Sequence, residues 1–61
     1  MARLATDEQV SYLTALLRRL PEEESEEVLA ELLDDADVED LAELTREQAS
    51  VAINELQARL R

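Results

Sequence analysis

Apolar residues recur at three- and four-residue spacing along this chain, in three runs separated by polar breaks. Val10, Leu13, Leu16, Leu17 and Leu20 share one helical face, with Tyr12 and Ala15 near its edges. Thr6-Asp7-Glu8-Gln9 precedes them as a capping box, in which the Thr6 hydroxyl accepts from the Gln9 amide while the Gln9 side chain reaches back. Pro21 restricts the residue before it and stops this helix at Leu20. The second stripe is Val28, Leu29, Leu32, Leu33 and Ala36. Its helix starts either just behind Pro21, where Glu22, Glu23 and Glu24 suit the positive helix end, or at a Ser25 cap. Asp34-Asp35-Ala36-Asp37 interrupts the stripe, because closely spaced Asp side chains compete for backbone donors.

Val38, Leu41 and Leu44 predict a short helical turn. Thr45-Arg46-Glu47-Gln48 then repeats the capping box, ahead of an inward face of Ala49, Ala52, Ile53, Leu56 and Leu60. Arg59 and Arg61 suit the negative end of that last helix. The two starts, Thr6–Ser11 and Thr45–Ser50, share four of six residues, which reads as capping chemistry used twice rather than as a repeat architecture. The spacing therefore predicts an all-α bundle of three main helices, roughly 6–20, 22–35 and 45–60, with a short extra turn near 38–43, forming one domain over residues 1–61.

Composition agrees with that pattern and narrows the chemistry. With no Gly, Phe or Trp and a single Pro, the chain has nothing from which to build tight hairpins. A domain of 61 residues is small, and folding buries only about 60% of the surface an unfolded chain of this size exposes. Without Cys or His there is neither a disulfide nor a Cys/His zinc site to reinforce it, which leaves regular helix packing or self-association. The same absences remove a histidine base and a Gly-rich phosphate cradle, and a chain this short with Tyr12 as its one aromatic offers little to desolvate a carboxylate pair. Neither an enzyme nor a cofactor is expected. No apolar run approaches the roughly 18 residues of a membrane span, and acidic faces are repelled by anionic lipid. Met1–Ala5 is too short for a signal sequence, so a cytoplasmic address without membrane contact is expected.

Charge changes the picture most. The formal net charge is −10, yet Glu22–Glu43 carries −12 by itself: Glu22, Glu23, Glu24, Glu26, Glu27, Glu31, Asp34, Asp35, Asp37, Glu39, Asp40 and Glu43, with no Lys or Arg among them. The remaining acids, Asp7, Glu8, Glu47 and Glu55, are outnumbered by six arginines. Such a segment either solvates a small protein or presents an electrostatic surface to a basic or nucleic-acid-handling protein, with phosphate mimicry as the extreme case. Direct nucleic-acid binding by the acidic chain is disfavoured, and touching DNA through Arg18, Arg19, Arg46 and Arg59 is the contrary reading. Asp35, Asp37 and Glu39 match the first ligands of a calcium loop, but Asp40 replaces its turn Gly and Arg46 occupies the bidentate position, so no metal site is expected.

Two further surfaces follow from the pattern. Tyr12, Arg18 and Arg19 form either an interaction patch or, as the preferred expectation, a core edge whose arginines pair with Glu22–Glu27. Leu29, Leu33, Val38 and Leu41 exceed what one small core needs, so an exposed apolar strip there is the candidate interface, including one for a homodimer.

The pattern Ala5-Thr6-x-x-Gln9-x-x-Tyr12-Leu13, an acidic middle, then Leu44-Thr45-x-x-x-Ala49-Ser50-x-x-Ile53-x-x-Leu56 resembles a family of small helical domains of phages and actinobacteria, mostly of unknown function. Segments similar to it resemble tails of phage recombination and replication proteins and small phage regulators. The resemblance rests on caps and core positions, so it implies a fold and a mobile-element setting and no catalytic residue.

Overall fold

The computed structural model describes residues 3–61. It contains three α-helices, α1 (Asp7–Arg18), α2 (Glu22–Ala36) and α3 (Arg46–Arg59), with one 3₁₀ turn at Leu41–Glu43 before the last. The chain is a small all-α bundle.

Both capping boxes form as the sequence predicts. The Gln9 amide donates to Thr6 Oγ1 at 3.1 Å while Gln9 Oε1 accepts from the Thr6 amide at 3.0 Å, and Gln48 and Thr45 repeat the same pair at the same two distances. Each box satisfies donors that a helix start otherwise leaves open. α1 ends at Arg18 instead of Leu20, because Pro21 disfavours helical geometry at the residue before it. The last turn tightens accordingly: the Arg19 amide donates to the Leu16 carbonyl and the Leu20 amide to that of Leu17. Of the two starts considered for α2, the one behind Pro21 is found. Pro21 stands at the N-cap without a side-chain bond, and Ser25 lies inside the helix.

The Asp-rich break is sharper than its composition suggests. α2 runs through Asp34, Asp35 and Ala36, and then Asp37 turns left-handed at φ 54, ψ 46. Its amide donates to the Asp34 carbonyl at 3.1 Å and the Val38 amide to that of Leu33 at 3.0 Å, the paired bonds of a Schellman stop. Glycine usually holds this position, and this chain has none. Replacing Asp37 with Gly removes the steric cost of the left-handed residue, so D37G is expected to stabilise the protein by about 1 kcal/mol. In a thermal melt followed by circular dichroism that is a rise of roughly 4–8 °C, and an unchanged or lower midpoint would show that Asp37 carries no such cost.

The two capping boxes, 39 positions apart in sequence, lie side by side. Leu4 and Thr45 form a one-residue antiparallel bridge, in which the Ala5 amide donates to Leu44 at 2.7 Å and the Arg46 amide to Arg3 at 2.9 Å. Gln9 Nε2 reaches the Arg46 carbonyl at 3.4 Å. Helices α1 and α3 thus begin together and run in the same direction, and Gln57 Nε2 donates to the Tyr12 hydroxyl at 2.7 Å further along. α2 runs back against them, its first turn tied to the end of α3 by Arg59 and Glu24 at 3.8 Å.

The core follows from this arrangement. Leu13, Leu16 and Leu17 of α1 meet Ala49, Ala52 and Leu56 of α3, closed by Leu41 and Leu44. From α2 only Val28 is fully buried, while Leu29, Leu32, Leu33 and Ala36 are half-buried against the cluster. α1 and α3 form the closest helix pair, and α2 approaches α3 less closely.

Candidate functional site

Every one of the twelve acids between Glu22 and Glu43 is exposed. α2 places Glu22, Glu23, Glu24, Glu26, Glu27, Glu31, Asp34 and Asp35 along its solvent side, because its apolar stripe faces inward. The left-handed stop at Asp37 and the turn that follows carry Asp37, Glu39, Asp40 and Glu43 onward. Among the described residues just one of the twelve has an ion-pair partner, Glu24 with Arg59, and both ends of that pair are about half exposed. One more is held locally, since a Glu43 carboxylate oxygen accepts from the Glu39 amide at 3.2 Å. The rest face solvent without a counter-charge within ion-pair distance among the described residues, a field that salt or a basic surface relieves.

The expected pairing of Arg18 and Arg19 with Glu22–Glu27 does not form among the described residues; Arg59 comes from the far end of the chain to meet Glu24 instead. Antiparallel packing of α2 on α3 explains the exchange, since it brings the last turn of α3 beside the first turn of α2. Arg19 and Arg61 flank a shallow depression floored by Leu16 and Leu60, with Tyr12 and Gln57 at its edge. Tyr12 is 44% exposed, so it bounds the core without entering it. The arginines do not assemble into one basic surface: Arg46 opens α3 and Arg59 closes it, about 20 Å of helix apart. Among the described residues no three Asp or Glu side chains converge as metal ligands. No described helix is long and apolar enough to cross a membrane.

The apolar strip expected from Leu29, Leu33, Val38 and Leu41 is corrected in one member and reduced in the others. Leu41 is buried, because the 3₁₀ turn folds it against α1. Leu29, Leu33 and Val38 are half-buried against the cluster, with Val38 drawn in by the Schellman stop. The open apolar surface lies elsewhere, between the second half of α2 and the first half of α3. There a groove of about 370 Å³ has Leu32, Ala36, Leu44 and Ala52 as its floor and Val51 on its wall. Asp35 borders it from α2, and Glu47 and Glu55 from α3. Val51 is 57% exposed, one of three large apolar residues left so among the described residues, with Leu4 and Tyr12. The signal for it was present in the sequence: Val51 lies outside the inward set of α3, four residues from Glu47 and four from Glu55.

Compared with protein-family models, with curated proteins and with solved structures, the chain matches none.

Proposed function

We propose that this protein is a non-catalytic interaction module that docks through Glu22–Glu43 on a basic or nucleic-acid-handling protein, in its extreme form as a mimic of nucleic-acid phosphates. The observation that carries this reading is that all twelve acids of the segment are exposed and only Glu24 is paired among the described residues. A solvating role is met equally by charge scattered over the surface; segregation of twelve like charges onto one helix and the turn after it costs self-repulsion, which a basic partner offsets. The sign of the charge supplies the class of partner, since an acidic surface attracts basic ones, and the resemblance adds only a mobile-element setting. Self-association through Leu29, Leu33, Val38 and Leu41 is the weaker reading, since Leu41 is buried and the others already lean on their own core.

Reversing Glu26, Glu27, Glu31 and Asp34 to Lys tests the proposal. All four are exposed, so the fold tolerates the change, and relief of repulsion favours it. In a pull-down from nuclease-treated lysate, the native protein is expected to retain a basic protein at low salt and release it as salt rises, and the quadruple variant to retain none. Retention that is equal for both proteins and indifferent to salt would sink the acidic-surface reading.

A further inference from the structure

We infer that the groove between α2 and α3 seats a basic amphipathic helix of a partner protein, with an apolar side chain anchored beside Val51 and basic residues one turn to either side; this rests on the acidic docking reading above. The groove combines two features that charge alone does not supply. Its floor is apolar, formed by Leu32, Ala36, Leu44 and Ala52, and it opens at Val51, left 57% exposed and, unlike the other exposed large apolar residues among those described, Leu4 and Tyr12, set on the wall of this groove. Its borders are acidic on both sides, Asp35 from α2 and Glu47 and Glu55 from α3, and none of the three has an ion-pair partner among the described residues.

The spacing dictates the occupant. Glu47, Val51 and Glu55 follow one another at four-residue steps, so they form a single row on α3 about 12 Å long. A helix laid beside that row matches it with Lys or Arg, then Leu or another large apolar residue, then Lys or Arg, at the same four-residue steps. An acidic or neutral helix leaves the carboxylates facing like charge or low-polarity surface. A second copy of this chain is a poor occupant. Nowhere does its sequence place an apolar residue four positions from an Arg on each side, and two molecules of charge −10 repel.

The test uses a blocked helical peptide with Lys, Leu and Lys at successive four-residue steps on an Ala/Gln background, and a control peptide with Ser in place of the Leu. Titrated into the isotopically labelled protein at low salt, the Leu peptide is expected to shift the amides of Leu32, Asp35, Val51 and Glu55. It is expected to lose roughly tenfold in affinity to V51S, to the paired variant E47Q/E55Q, and on exchange of its own Leu. Circular dichroism of both variants, whose altered residues are exposed, checks that the fold is kept. Shifts spread over Glu23, Glu26 and Glu27 on the far side of α2, with V51S binding as well as the native protein, would overturn the groove while leaving acidic docking intact. No binding of either peptide at low salt would remove both readings. Sedimentation showing a native dimer that V51S dissociates would also overturn the proposal, by giving the groove to a second copy.

Discussion

Replacing Leu13 with alanine is expected to bring the protein close to its unfolding midpoint at room temperature, with folded and unfolded molecules in comparable amounts. Leu13 has no exposed surface, and with Leu44 and Leu56 it is one of the three largest side chains wholly inside the protein. Truncating such a leucine costs about 2–5 kcal/mol, the lost transfer energy plus the cavity left behind. A domain of this size, without disulfide or metal, has about 3–5 kcal/mol in total, so the loss and the reserve are comparable. Alanine is the better helix former, so a loss of helix signal in L13A reports packing and not propensity. Truncating the exposed Val51 to alanine provides the contrast, with an expected change within about 0.5 kcal/mol. Chemical and thermal unfolding followed by circular dichroism read both variants. An L13A midpoint within a few degrees of the native one would mean that the core is not centred on this residue.

Enlarging Ala49 to leucine is expected to cost about 1–3 kcal/mol, although the substitution stays apolar and helix-compatible. Ala49 is completely buried in the first turns of α3, where α3 meets α1 in the closest helix pairing of the molecule. A larger side chain there must push the two helices apart or adopt a strained rotamer. The displacement falls next to the seam that joins the two helix starts, so it has a local readout. The Ala5 amide, bonded to Leu44, and the Arg46 amide, bonded to Arg3, should exchange with solvent markedly faster in A49L. Exchange at native rates with an unchanged melting point would show that α1 and α3 are loosely packed at this point. With L13A, the variant separates two requirements of the same core, filling its centre and keeping its helix pair close.

These two residues show how far local reading reaches. Both lie on the inward faces that three- and four-residue spacing assigns, since periodicity is a property of neighbours along one helix. The same spacing could not rank them against Leu29, Leu32 or Leu33, which fall just as regularly on α2 and end half-buried. Depth of burial depends on how close a second helix comes, and α2 stays further from α3 than α1 does. That difference also opened the groove at Val51, while the expected apolar strip was lost separately, when the 3₁₀ turn folded Leu41 against α1. Segregation of the acids was legible because charge is counted along the chain and α2 has one solvent side. Which arginine meets them was not, since Arg59 and Glu24 come together only when α2 folds back on α3.

The sequence by itself determined the capped starts of the first and last helices and the break at Pro21. Thr6 with Gln9 and Thr45 with Gln48 are helix-start partners three residues apart, Pro21 acts on its own neighbour, and the twelve acids of Glu22–Glu43 have no Lys or Arg within their own segment. Tertiary structure alone decided that the two capping boxes stand side by side, that Arg59 and not Arg18 or Arg19 meets the acids of α2, and that an acid-bordered apolar groove separates α2 from α3. The physical reason is the range of the forces. Hydrogen-bonded caps and steric restrictions act over a few residues and travel with the local sequence, whereas burial and groove shape are set by the distance between surfaces that only the assembled bundle brings together.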